Sequence, residues 1–368
     1  MMKRVIIVGA GPGGIAAANR LQTRAATQIE IILVERGGVA EFLPGTLSTA
    51  LGQQPLHHWQ QPLVKPGIQV QAGEAHSVSG MGVVVEGVSI AADAVIAAPG
   101  LTLDAIPTAA NRFAFWSPTT AAAAMPAITS LTQGTVVVAI SGLPYRCPPA
   151  PFSLAMQLAD YYRSHSRPVQ VILTTPEEKP LAVIGQGVPE FLLTASAAAG
   201  VTVHTSFVPQ WSEADATQWV AQDGKRVAHD LALIVPPHIR SPLLRHLPGE
   251  GVFVPVGAGY ETDEPGLFVI GDAAKTPYPR AAGAAAAQGQ TAADAILVRL
   301  GLADSFTVHL PAPECYIGHG AGVFSRITMR YPHGLPPAGK PEVILDAPTP
   351  DLATSFAQAF ATWQELRR

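Results

Sequence analysis

Two sets of residues in this chain have types and spacing suited to chemistry. The first is Val5-Ile-Ile-Val-Gly9-Ala-Gly11-Pro-Gly13-Gly14, a Gly-x-Gly-x-x-Gly spacing that follows a β-branched run and opens a small-residue segment. Gly9 suits a tight turn, Gly11 lets backbone approach a pyrophosphate, and Gly14 allows close helix–sheet packing. A diphosphate there would rest on the orphan N–H groups of a helix N-terminus. Glu35, with Arg36 beside it, closes the next apolar run, where a carboxylate can accept hydrogen bonds from both hydroxyls of a ribose. Strand, turn, helix and acid together predict a dinucleotide site.

The second set is the pair Cys147 and Cys315, the two cysteines of the chain. Arg146 precedes Cys147, and Pro151 suits the first turn of a helix just beyond it. A cation and a helix N-terminus predict a lowered thiol pKa at Cys147. The plainer alternative is a buried structural cysteine with a solvated arginine. Two cysteines in 368 residues are too few for a secreted disulfide framework.

These residues need elements to hold them. Lys3–Val8, Ile29–Glu35 and Ala94-Val-Ile-Ala-Ala-Pro99-Gly100 read as buried strands, with a helix over Gly14–Gln22. A second alternating block runs through strands at Thr135–Ile140, Val169–Thr174 and Val201–Thr205, with helices at about Phe152–Arg163 and Pro189–Ala199. The run from Asp230 to Val235 returns the chain toward the first block, and a long Ala-rich helix is expected over about Ala281–Leu300. Such alternation implies α/β architecture with parallel sheets, here tandem Rossmann-like domains followed by a small C-terminal α+β domain. The expected division is 1–108 with 230–300 as a discontinuous dinucleotide domain, 109–229 as a second Rossmann-like domain, and 301–368 as the C-terminal domain.

The second block lacks a glycine turn. Ser141-Gly142-Leu-Pro-Tyr-Arg-Cys147-Pro-Pro-Ala-Pro151 has one glycine, and prolines stand where N–H donors should face a pyrophosphate. An NAD(P)H site is therefore not expected there. A net charge of −4 excludes a basic field for nucleic acid. With 48% hydrophobic and 14% charged residues the chain can bury a large core, which excludes a disordered or coiled-coil protein. No signal segment precedes the first strand and no run is long enough to span a bilayer, so a cytoplasmic chain is expected.

Gly266-Leu-Phe-Val-Ile-Gly271-Asp272 resembles the second FAD fingerprint of the two-dinucleotide-domain flavoproteins, and Ala94–Gly100 resembles their interdomain strand motif. The resemblance implies that Asp272 binds the ribityl chain, and that Gln288-Gly289 belongs to a helix directed at the flavin pyrimidine. The segment from Leu143 to Tyr162 resembles the first redox-cysteine segment of flavocytochrome c sulfide dehydrogenase and the sulfide:quinone oxidoreductases. Glu314-Cys315-Tyr316 resembles the second. By that resemblance sulfide attacks a Cys147–Cys315 disulfide, a persulfide remains on one sulfur, and two electrons pass through FAD to a membrane quinone, Cys315 lying on the flavin side. Arg280 stands where these proteins usually carry a lysine near the ring. The chain has no third cysteine and no cysteine near Ala40–Thr46, so the FAD is expected to be non-covalent.

Alternatives stay open: a flavocytochrome-like dehydrogenase with a soluble acceptor, a type-2 NADH dehydrogenase, or a non-turnover FAD/dithiol sensor. The stripe Leu352, Phe356, Phe360, Trp363 and Leu366, followed by Arg367 and Arg368, suits either a bilayer interface or packing on the FAD domain. By analogy Phe324 and Tyr331 line a quinone pocket. His204, His238, His309, His319 and His333 are the candidate proton carriers.

Overall fold

The computed structural model describes residues 2–63, 65–107, 109–336 and 339–366. Arg367 and Arg368, at the end of the terminal stripe, lie outside the described residues.

Five parallel strands form the first sheet, in the order Leu267–Val269, Ala94–Ala97, Lys3–Val8, Ile29–Glu35 and Gln69–Ala72. Its inner strands are continuous runs of Val, Ile and Ala because both faces are covered. Helices Pro12–Ala25 and Ala282–Arg299 pack on one face. On the other lies an antiparallel sheet of Ala75–Ser79, Gly82–Val85 and Val88–Ala91, whose Val78, Val83 and Val85 meet Ile6, Ile32 and Val95.

The second unit repeats this plan. Its parallel strands run Arg112–Ala114, Leu231–Val235, Gly134–Ile140, Val169–Thr174 and Val201–His204. Helices Pro118–Ser130, Ala150–Ser164 and Val188–Ala198 cover one face, and the hairpin Gln218–Val220/Arg226–Ala228 covers the other. Leu231–Val235, expected to return the chain to the first block, instead bonds between Arg112–Ala114 and Gly134–Ile140. The return comes later, where His238–Arg240 pairs antiparallel with Leu101–Leu103, so outgoing and incoming strands run side by side.

The C-terminal region is an antiparallel sheet of Glu314–Gly320, Val323–Arg330 and Glu342–Thr349, closed by helix Asp351–Glu365. The stripe of that helix faces protein. Phe356, Phe360 and Trp363 pack their rings 6.0, 5.0 and 5.4 Å from Phe42, and Phe360 also meets Trp59. Leu352 and Trp363 are buried, while Leu366 is exposed. Of the two partners expected for this stripe, the first unit is the one it meets.

Candidate active site

The three glycines of the turn behave differently. Gly9 has φ +102°, and a Cβ there would lie 2.4 Å from the carbonyl oxygen of Ala98. A Cβ on Gly14 would lie 1.9 Å from the oxygen of Gly9. Those two are glycine for reasons internal to the fold. At Gly11 no atom lies within 4 Å of the corresponding position, so the space beside it is open to a ligand. Gly11 caps helix Pro12–Ala25 with no side-chain hydrogen bond, leaving the first-turn N–H groups without a side-chain acceptor. Glu35 closes over the turn: its Oε2 accepts from Ala10 N at 2.6 Å and its Oε1 from Arg36 N at 3.0 Å. The Arg36 side chain instead points outward onto Glu74, 3.2 Å away.

Strand Ala94–Ala97 ends beside this turn, and Pro99 and Gly100 lead out of it, Gly100 at φ +66° with open space where a Cβ would be. Strand Leu267–Val269 ends at Gly271, whose N–H donates to Oε1 of the buried Gln288 at 2.6 Å. Gln288 thereby fixes the short 3-10 turn carrying Asp272. Gly289 lies mid-helix, and a Cβ there would lie 2.1 Å from the oxygen of Gly13, so it brings helices Pro12–Ala25 and Ala282–Arg299 together. Gly13 in turn has Ala285 O 3.0 Å from its own Cβ position.

Around Asp272 the charges converge. Burial pushes its carboxyl above the usual range, and Arg146 and Arg280 pull it back. Arg280 stacks 3.9 Å over the Phe253 ring centroid and donates to Thr276 Oγ1 and Tyr278 O at 2.8 and 3.0 Å. Its Nε is buried with no partner among the described residues. Arg146 is locked to Trp116, whose indole N–H donates to Arg146 O at 3.2 Å while Arg146 Nη2 donates to Trp116 O.

Cys147 follows at φ +52°, a left-handed backbone uncommon outside glycine. Its N–H donates to Arg280 O at 3.0 Å and its oxygen accepts from Ala150 N at 2.9 Å. The residue is solvent-accessible, and the charges of Arg146 and Asp272 act on its sulfur. Burial pushes the Cys147 thiol up to about 11, against the pull of Arg146, and Asp272 adds to the rise. The sequence expectation of a lowered value fails here because desolvation outweighs one arginine.

Helix Ala150–Ser164, which begins just after Cys147, docks on strand Glu314–Gly320. Ser153 Oγ accepts from Gly318 N at 2.8 Å. A Cβ on Gly318 would lie 2.8 Å from the Gln157 side chain, and one on Gly320 would lie 2.2 Å from Asp160. This contact carries Cys315 to Cys147. Burial raises the Cys315 thiol above the usual range, and the charge of Cys147 raises it further. Both are free thiols in the structure.

Tyr145 and Glu177 escaped the sequence reading. Tyr145 is buried, and its hydroxyl donates to Glu177 Oε2 at 3.4 Å. Glu177 stands just past strand Val169–Thr174, topologically where Glu35 stands in the first unit; that equivalence was the available signal. Among the histidines, His238 comes within the field of Arg146. Its Nδ1 lies 2.9 Å from Pro236 O, its Nε2 is buried without a partner, and burial with the Arg146 charge lowers it to about 4. His309 binds Asp294 at 3.0 Å, His319 binds Ser325 Oγ at 2.8 Å, His204 ends an edge strand and His333 is exposed. Phe324 stacks on Phe356, and Tyr331 packs at 6.2 Å against Tyr278.

The residues fit a dinucleotide cofactor: open space at Gly11 and Gly100, an acid over the turn, a partnerless buried Arg280 Nε, and accessible charged groups in dense surroundings. Among the described residues no cluster of His, Cys, Asp and Glu suits a metal ion. No described helix is long and apolar enough to cross a membrane.

No protein-family model matches the chain. Solved structures do. The sulfide:quinone oxidoreductase of the hyperthermophilic bacterium Aquifex aeolicus aligns with TM-score 0.82 at 16% identity, covering 99% of this chain and 91% of that one. Reduced CoADR-RHD of Bacillus anthracis aligns with TM-score 0.68 at 17% identity, covering 94% and 68%. The covalent putidaredoxin reductase–putidaredoxin complex aligns with TM-score 0.69 at 16% identity, covering 98% and 92%. At such identities the likeness is one of fold, and the fold is that of the two-dinucleotide-domain oxidoreductases.

Proposed function

We propose that the chain is a flavin-dependent oxidoreductase that oxidises sulfide through a Cys147–Cys315 disulfide and passes two electrons, by way of non-covalent FAD, to a quinone. The observation carrying this reading is that the two cysteines, distant in sequence, share one field beside the Asp272 turn. Gly9, Gly11, Gly13, Gly14, Glu35, Pro99, Gly100, Gly271, Asp272 and Arg280 would hold the cofactor, with Gln288 and Gly289 supporting them. Bound there, FAD supplies a two-electron acceptor.

The steps of the chain itself balance. Hydrosulfide attacks the Cys147 sulfur of the disulfide; an S–S bond forms as the Cys147–Cys315 bond breaks, leaving a persulfide on Cys147 and a thiolate on Cys315. Arg146, whose charge acts on Cys147, would draw the incoming hydrosulfide anion to that sulfur. Support for sulfide and quinone comes from a sulfide:quinone oxidoreductase that shares the fold, and the cysteine segments point the same way.

NAD(P)H is not the donor in this reading. The corresponding turn in the second unit holds three prolines, and Tyr145 with Glu177 fills the space at the strand ends. One observation favours a second acceptor. The terminal stripe packs on Phe42 and Trp59 and offers little apolar surface to a membrane, which suits a soluble electron carrier. A cytoplasmic location, on or off the membrane face, belongs to the same proposal.

An anaerobic titration of the flavin-loaded protein tests it. Sulfide should bleach the flavin within the mixing time of a manual assay, and Cys147→Ser and Cys315→Ser should each abolish that bleaching. Bleaching by NADH with no response to sulfide would overturn the reading. Turnover with a water-soluble quinone against a c-type cytochrome then decides the acceptor.

A further inference from the structure

Each unit carries an acid at or shortly past the end of the second strand of its helix-linked pair and uses it differently. In the first, Glu35 at the end of the second strand accepts the Ala10 N–H of the glycine turn at 2.6 Å. In the second, Glu177 lies just past the end of the matching strand, Val169–Thr174, and binds the hydroxyl of Tyr145 in the turn that replaces the glycines. Glu177 is itself anchored: its Oε1 accepts from Leu181 N at 3.0 Å, its Oε2 from Thr175 Oγ1 at 3.2 Å, and its backbone oxygen from Ser206 N at 2.9 Å.

Tyr145 lies two residues before Cys147, which stands at φ +52°. A non-glycine residue keeps such a backbone only where its surroundings over-determine it. Three restraints converge on this turn. Arg280 O and Ala150 N hold the Cys147 backbone, Trp116 holds Arg146, and Glu177 holds Tyr145. The first lies on the side of Arg280 and the helix; Trp116 and Glu177 hold the turn from beside strands Arg112–Ala114 and Val169–Thr174 of the second sheet.

We propose that Glu177, through Tyr145, is a positioning residue for Cys147: an acid at the ribose-binding point of the fold that here clamps the cysteine turn so that its sulfur faces Cys315. The inference rests on the two-cysteine reading of the site but not on sulfide as substrate.

The test is the rate at which the flavin-loaded protein forms the Cys147–Cys315 disulfide with diamide, followed by the loss of two alkylatable thiols by mass. The two thiols give up two electrons and two protons, and diamide becomes the hydrazine. Tyr145→Phe, nearly isosteric, should slow closure about tenfold, the scale of a small misplacement of reacting atoms. Glu177→Leu should slow it equally, and the double variant no further, because the two residues act as one unit. Glu177→Gln, which keeps an acceptor for the phenol, should restore most of the rate. Closure at the parent rate in Tyr145→Phe, or losses that add in the double variant, would overturn the clamp. Diamide reads only the thiols, so a failed sulfide titration alongside slowed closure sinks the substrate assignment alone. Parent-rate closure alongside active sulfide bleaching sinks the clamp alone.

Discussion

Gly9, Gly11 and Gly14 of the first turn are glycine for two different reasons, and substitution separates them. Gly14→Val drives side-chain carbon into the Gly9 carbonyl, where a Cβ already falls 1.9 Å from the oxygen, so the variant should fold poorly or not at all. At Gly11 an added Cβ has no protein atom within 4 Å beyond its two chain neighbours, and Gly11→Val leaves the backbone at an ordinary φ of −65°. It should express, melt close to the flavin-free parent, and carry no flavin. Absorbance at about 450 nm against protein concentration reads the outcome; a yellow Gly11→Val protein would show that the open space is not where the cofactor lies. The sequence already assigned the three glycines these separate tasks, and the open space at Gly11 beside the crowded Gly9 and Gly14 agrees with that assignment. The surroundings of Cys147 were less legible. Sequence shows the arginine beside it and the helix after it, whereas the density of protein that lifts its pKa to about 11 comes from elements far along the chain.

The contact between helices Pro12–Ala25 and Ala282–Arg299 rests on a buried ion cluster as well as on Gly13 and Gly289. Asp294 accepts from Arg20 twice at 2.9 Å, from Arg24 at 3.2 Å and from His309 at 3.0 Å. Burial pushes its carboxyl up, but hydrogen bonds from Arg20 and His309 and the charges of both arginines more than offset that, holding it below the ordinary range. A group with a lowered folded pKa contributes stability above its unfolded value, about 3.9 for aspartate, and loses it as pH falls through the folded value. Asp294→Asn should therefore destabilise the protein at pH 7 by about 1–3 kcal/mol, the scale for losing hydrogen bonds to a charged group with part-exposed partners, and the gap from the parent should close below about pH 4 in denaturant titrations. A gap independent of pH would assign the loss to packing. Small-residue and alanine-rich composition located both helices in the sequence, but not this cluster, because its members come from three segments. Leu231–Val235 was misplaced for a related reason: a fully apolar run fits the middle of either sheet equally well.

At the scale of the whole molecule the terminal helix joins the C-terminal sheet to the first unit through Phe42, Trp59, Phe360 and Trp363. Trp363→Ala should cost about 3–5 kcal/mol, seen as a lower midpoint for the transition that releases flavin, with any separate transition of the second unit unmoved. The amphipathic pattern of this helix was legible, yet apolar area alone does not name its partner; only the aromatic contacts did. Fold class and unit order were legible because alternating strands and helices with short connections leave few topologies open. Charge coupling across units was not, since Asp272, Arg146 and Arg280 meet only after both units are folded.

The discontinuity of the first unit also has a consequence in time. Its glycine turn leaves the ribosome early, but strand Leu267–Val269, Asp272 and helix Ala282–Arg299 are made only after the entire second unit. Domains complete in order of synthesis, at roughly 5–20 residues per second. The second unit, contiguous from Arg112 to Val235, is thus free to fold first, while half of the cofactor cradle waits with its apolar strands uncovered. On the proposed reading, flavin capture would be a late event in the birth of this protein, and scarcity of the cofactor would be felt as a chain that has folded its middle and left its beginning unfinished.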